Sequence, residues 1–123
     1  MQAAILSSYH DAVRFQPERF SPVAVAQTQR VKLVLTCFEP GQFIPVHSPG
    51  VDMALVILEG TGVVVAGEAE ASVGPGAIVL VPGGEARGIK ATTRLVAVHL
   101  VSPPPTQSDH AEVQAQLNTG AWR

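Results

Sequence analysis

The sequence predicts an all-β domain, an antiparallel sandwich or closed barrel. Three observations predict it. First, the runs VKLVLTCF (31–38), MALVIL (53–58), GVVVA (62–66), AIVLV (77–81) and RLVAVHLV (94–101) are each of strand length. Second, they are rich in Val, Ile and Leu, and length with β-branching favours strand over helix even where both faces are apolar. Third, the segments between them are turn chemistry: EPGQ (39–42), SPG (48–50), EGTG (59–62), AGE (66–68), GPG (74–76) and PGG (82–84). Short strands at close, even spacing with Gly/Pro turns indicate an antiparallel architecture.

Taken in order, the chain begins with a short helix. Ser8 stands at a cap position, with Asp11 at the third helical position, and Pro17 stops the helix before a turn over 17–20. Residues 23–30 (VAVAQTQR) form an extra strand, either inside the barrel's sheet or across to a partner. In the strands that follow, alternation is blurred, which suits a barrel packed against a second surface such as a dimer partner. Residues 61–75 make a short hairpin. Pro103–Pro105 cannot continue a ladder. Thr106 and Asp109 repeat the cap spacing, so 107–117 reads as a helix ended by Asn118 and Gly120. Its few apolar positions (Ala111, Val113, Ala115, Leu117) predict a helix on the surface or lightly docked. The organisation is an N-terminal extension (1–30), a barrel (31–102) and a helical tail (103–123).

Bulk properties narrow the function classes. A chain of 123 residues fits one domain, and 46% hydrophobic residues supply a core. Net charge is −2 with no basic patch, so no nucleic-acid partner is expected. The lone Cys37 cannot form an internal disulfide, and the N-terminus lacks a basic, apolar leader, so a reduced, cytoplasmic setting is expected. Gly60, Gly62 and Gly67 interrupt the best apolar stretch, so no membrane span is expected. No Ser/His/Asp or Cys/His set with a placed third partner is present, nor a Gly-rich loop leading into a helix.

Residues 41–60 and 76–91 together resemble the cupin family of double-stranded β-helix (jelly-roll) barrels. The first family motif runs Gly, five residues, His-x-His, three or four residues, Glu, six residues, Gly; Gly41, His47 and Gly60 fall on it. The second runs Gly, five residues, Pro-x-Gly, two residues, His, three residues, Asn; Gly76, Pro82 and Gly84 match. The resemblance covers roughly 31–102 and implies a double-stranded β-helix with short terminal helices. In metal-binding cupins the four ligand positions hold two His, Glu and His. Here they carry His47, Pro49, Met53 and Arg87, and the Asn position carries Ala91. Pro49 has no side-chain donor, a thioether is too soft for the usual metals, and a guanidinium cannot ligate. The resemblance therefore implies a cupin whose usual metal site is lost, with no metal and no cofactor expected.

The remaining candidates are ligand-binding ones. His47 is a lone polar group or a neutral imidazole lining a pocket. Arg87, if inward, must be paired, and it suits a carboxylate or phosphate; if outward, it meets solvent, Glu85 or Asp52. Met53 fills space, and Asp52 points to the opposite face. His99 lies mid-strand, and the pattern leaves its face open. The set His47, Met53, Arg87 and His99 points to a small-molecule binding or sensing domain taking a ligand with one anionic group, and working as a homodimer. A metal-dependent dioxygenase- or isomerase-type enzyme with rearranged ligands around His47 and His99 is the alternative. A barrel packed shut by its own side chains is the third.

Overall fold

Turn chemistry and β-branching resolve into strands in the computed structural model, which describes residues 3–123. In chain order these are β1 (Ser21–Gln27), β2 (Lys32–Phe38), β3 (Phe43–His47), β4 (Asp52–Glu59), β5 (Gly62–Ala66), β6 (Ala69–Val73), β7 (Ile78–Val81), β8 (Arg87–Ala91) and β9 (Leu95–Ser102). A five-stranded sheet has the order β1-β2-β9-β4-β7, and a four-stranded sheet has the order β3-β8-β5-β6. The pairs are antiparallel throughout. Two facing sheets in this order make a double-stranded β-helix.

The strands β3, β6 and β8 are absent from the apolar runs, for identifiable reasons. Pro45 interrupts β3, which tolerates it because β3 is an edge strand with a register shift between Ile44 and His47. β6 (AEASV) is a polar edge strand. β8 (RGIKA) holds two cations and Gly88, and it is a strand because β3 and β5 pair with it on both sides. A Cβ at Gly88 would stand 2.8 Å from Val46 Cγ2 and 2.9 Å from the Trp122 ring.

The barrel interior is closed at one end by Phe38, Leu55, Ile57, Val64, Ile89, Ala91, Leu95 and Ala97. The blurred alternation of β2 and β9 has a different cause. Leu35, Cys37 and Val96 face outward and are covered by Tyr9, Ala12, Val13 and Phe15 of the N-terminal segment. Both faces of these strands are therefore buried, one of them by the chain itself. The N-terminal segment holds a short 3-10 helix, Tyr9–Ala12, whose cap Ser8 accepts from the His10 N–H. β1 pairs with β2 of its own chain, in the barrel's sheet.

The motif glycines Gly41, Gly60 and Gly76 have φ of 85°, 81° and 90°. They differ in surroundings: a Cβ at Gly60 would lie 1.9 Å from the Arg94 carbonyl oxygen, whereas Gly41 has open space.

The C-terminal helix α1 spans Gln107–Thr119. Thr106 and Asp109 form the capping box expected from their spacing, and the helix runs two residues past the expected end because Gly120, in the left-handed region, is the cap. Its C-terminal end docks on the free edge of β3. The Val46 N–H donates to the Trp122 carbonyl at 2.8 Å, and Gln116 Nε2 donates to the Val46 carbonyl at 2.9 Å. Trp122 meets Phe43 edge-on at 6.1 Å. Arg19 is hydrogen-bonded to Gln114 of α1. The helix thus lies along the edge strand β3 and reaches the segment that leads into β1. No helix of the described residues is long and apolar enough to cross a membrane.

Candidate functional site

The strand ends that lie on the α1 side surround a cavity of about 450 Å³. It is the barrel interior, floored by Phe38, Leu55, Ile89 and Ala97 and walled on one side by Val113 and Leu117 of α1. A barrel packed shut by its own side chains is not what this sequence builds. His47, Met53, Arg87 and His99 all line this one cavity.

Register explains the convergence. His47 on β3 is the cross-strand partner of Arg87 on β8, so both present to the same face. Met53 on β4 pairs with Val101 and Val81, and His99 on β9 pairs with Leu55 and Val34, one layer deeper. Asp52 lies on the opposite face, exposed, and its carboxylate accepts the Gly83 N–H at 2.8 Å.

Arg87 is 3% exposed. Its Nη2 donates to the carbonyls of Pro82 (2.9 Å), Glu85 (3.4 Å) and Pro49 (3.5 Å), and Nε reaches Glu85 O at 3.4 Å. Neither Glu85 nor Asp52 forms an ion pair with it, and Nη1 is buried with no partner among the described residues. Burial lowers its pKa, and the more distant charges of Asp52, Asp109 and Glu85 partly restore it.

His47 Nδ1 lies 2.8 Å from the Pro45 carbonyl. A carbonyl only accepts, so this nitrogen carries the proton and Nε2 is left as the acceptor. Burial lowers the His47 pKa, the Pro45 contact and the Glu112 charge oppose this, and the Arg87 charge adds a smaller lowering. His99 Nδ1 is 3.3 Å from the Thr36 hydroxyl. Burial, with the Lys32 charge, brings His99 down to about 4, so both imidazoles are neutral at pH 7.

A pH dependence follows. Unfolded His99 binds a proton near its ordinary pKa of about 6.5, and the folded ring binds it only near 4. The unfolded state therefore holds more protons between these values, and stability falls as pH drops from about 6.5 to about 4, by roughly 3 kcal/mol in all. Urea unfolding of His99→Gln between pH 7 and pH 4.5 should show a shallower loss than the parent. Parallel curves would mean that the ring is not held neutral in the fold.

No protein-family model matches the chain, and no curated protein matches it. Solved structures do. An RmlC-like cupin protein from Desulfovibrio desulfuricans is 31% identical over 84% of this chain and 97% of its own, with a TM-score of 0.70. The chain belongs to the cupin family. This cupin is also similar to TT1209 from Thermus thermophilus, at 29% identity and a TM-score of 0.75, covering 80% of this chain and 96% of that one. Its likeness to KdgF from Halomonas sp., at 17% identity and a TM-score of 0.74 over 88% of this chain and 99% of the other, is one of fold alone.

The residues of this cupin do not fit a divalent metal at the family's ligand positions. The position of the second-motif His is filled by a buried guanidinium, and the Pro49 carbonyl accepts from Gly84 N at 2.8 Å. Among the described residues no group of three or more His, Cys, Asp or Glu side chains is placed to hold a metal ion. Sequence reasoning missed Lys32, Thr36, Asp109 and Val113 as lining residues. The inward phase of β2, Lys32-Val34-Thr36-Phe38, is hidden because the alternate residues Leu33, Leu35 and Cys37 are equally apolar.

Proposed function

We propose that this cupin is a small-molecule binding or sensing barrel, that it takes an anionic, carboxylate-bearing ligand without a metal, and that it works as a homodimer. One observation carries the ligand class. Arg87 is a fixed cation inside the cavity, oriented by three backbone carbonyls, and among the described residues it has no carboxylate partner and Nη1 has no hydrogen-bond partner. Unpaired buried charge is costly, so a site that keeps one is built for an anion that arrives from outside. A planar guanidinium favours a carboxylate's paired oxygens, and the neutral His47 and His99 supply polar contacts in an otherwise apolar wall. The cavity volume lies in the range of small-molecule sites.

The test is a thermal-shift screen of short carboxylates, each beside its neutral amide. A ligand at about 100 times its Kd adds about 2.7 kcal/mol, a rise of several degrees for a domain of this size. The acids should raise the melting temperature and the amides should not. A panel in which acids and amides behave alike would remove the anion reading.

The dimer reading rests on the outer face of the five-stranded sheet. Cross-strand neighbours make two apolar rows, Leu33-Leu100-Ala54-Leu80 and Leu35-Val98-Val56-Ile78. The N-terminal segment covers one side of this face, and Ile78 and Leu80 on β7 stay 79% and 72% exposed. A second copy seated on this face would bury the part of both rows that the N-terminal segment leaves exposed. Sedimentation velocity should find a dimer at micromolar concentration, and a monomer after Ile78→Lys with Leu80→Lys. A monomeric parent protein would overturn this reading.

A further inference from the structure

The charges around the cavity are unequal. Arg19, Lys32 and Arg87 line it, with Asp109 as the one carboxylate among the lining residues. A chain of net charge −2 has thus gathered three cations against one acid around this cavity. Two of these four groups are already engaged. Asp109 accepts the Thr106 N–H at 2.9 Å and the Thr106 hydroxyl at 3.0 Å as part of the α1 cap. Arg19 is bonded to Gln114. Lys32, like Arg87, has no carboxylate partner among the described residues.

Lys32 and Arg87 stand on opposite flanks of the mouth. The register places Lys32, Val101, Met53 and Val81 in one row across β2, β9, β4 and β7. The Arg87 guanidinium is bound to the carbonyl of Pro82, the residue after Val81, at the far end of that row. Three inter-strand steps of about 4.8 Å separate the strands by roughly 14 Å along the curved sheet. Both residues line the cavity. Between them lie the apolar side chains of Met53 and Val101. Lys32 is near enough to the interior for its charge to act on His99.

We infer that the ligand carries an anionic group at each end of an apolar chain, one taken by Arg87 and the other by Lys32: an α,ω-dicarboxylate. This rests on the carboxylate reading above and sharpens it. Arg87 supplies the buried, oriented contact. Lys32, a mobile point charge on a flexible stem, takes the second carboxylate nearer the rim and adds steering from solution. An apolar middle segment matches the Met53–Val101 strip, whereas a ligand polar along its length would be left without partners there.

The experiment is titration calorimetry with saturated α,ω-dicarboxylates of about four to eight carbons, each beside the monocarboxylate of equal length. It uses the parent protein, Lys32→Met, Lys32→Gln and Arg87→Met, with folding checked by circular dichroism. The parent should bind diacids about tenfold or more tightly than monoacids, with an optimum chain length. Both Lys32 variants should lose that preference while still binding monoacids, and Arg87→Met should lose both. Equal affinity for the two series, or a diacid preference that survives both Lys32 variants, would overturn the dianion inference and leave the carboxylate reading standing. A folded parent that binds neither series would overturn both.

Discussion

Arg87→Met abolishes the response of the barrel to carboxylates and leaves the barrel folded, with stability within about 1 kcal/mol of the parent or above it. The two halves of this expectation have separate causes. Binding is lost because an anion that enters the cavity would be desolvated with no cation to receive it. Removing one partner of a buried charged pair costs about 2–5 kcal/mol, roughly thirtyfold to several thousandfold in Kd. Stability is kept because the guanidinium is a desolvated charge with one nitrogen unpartnered among the described residues. Two of the three carbonyls that hold it keep another donor after the change. Pro49 O still accepts from Gly84 N at 2.8 Å, and Pro82 O from Glu85 N at 3.2 Å. Met also fills much of the volume of the arginine stem. Arg87→Lys gives the intermediate case: charge is retained, the planar fork is lost, and affinity falls part of the way. Calorimetry with the best acid from the thermal-shift screen, beside urea unfolding of the same proteins, checks both halves. Undiminished affinity in the Met variant would remove Arg87 from the site. A loss of several kcal/mol in stability would mean that the arginine is a structural clamp.

Gly60→Ala destabilises the fold by about 3 kcal/mol or more, and Gly41→Ala by only about 1. Both residues adopt φ above +80°. An added Cβ therefore carries a similar conformational cost at each site, of order 1 kcal/mol. The difference is what the Cβ meets. At Gly60 it would stand 1.9 Å from the Arg94 carbonyl oxygen and 2.8 Å from the Leu95 Cα, both backbone atoms. Leu95 is fully buried at the closed end of the barrel, so the β9 backbone cannot retreat without opening the core. At Gly41 nothing lies within 4 Å. Urea midpoints of the two variants measure the contrast directly. Equal losses would show that backbone conformation alone accounts for both motif glycines.

Local features of this chain were legible wherever a short stretch carries its own physics. The turns of the motif glycines need φ > 0, and their spacing carries the resemblance to the cupin barrel. Ser8, Thr106 with Asp109, and Gly120 announced helix ends because caps are sequence-local hydrogen bonds. The strands rich in Val, Ile and Leu were equally plain. What escaped was whatever depends on a distant partner. β3 and β8 carry Pro45, Gly88 and two cations, and they are strands because each is the other's neighbour in the four-stranded sheet. The face of His99 was undecidable because Leu100 on one side and Val98 on the other are as apolar as the core. Only the three-dimensional arrangement settles that the ring turns inward toward Thr36. For Arg87, spacing marked the ligand position, but an arginine next to Glu85 and Asp52 could as well have paired with either. The loop from Pro82 to Glu85 turns its carbonyls, not its carboxylate, toward the guanidinium. Lys32 was invisible as a site residue, since its proposed role depends on sharing one cavity with Arg87, which lies on the other sheet and 55 residues away in the chain. Turns, caps and strand-forming runs are short-range and can be read along the chain. The burial of a charge, the direction of a side chain and the lining of a cavity are set by which strands pair, and pairing is a property of the whole fold.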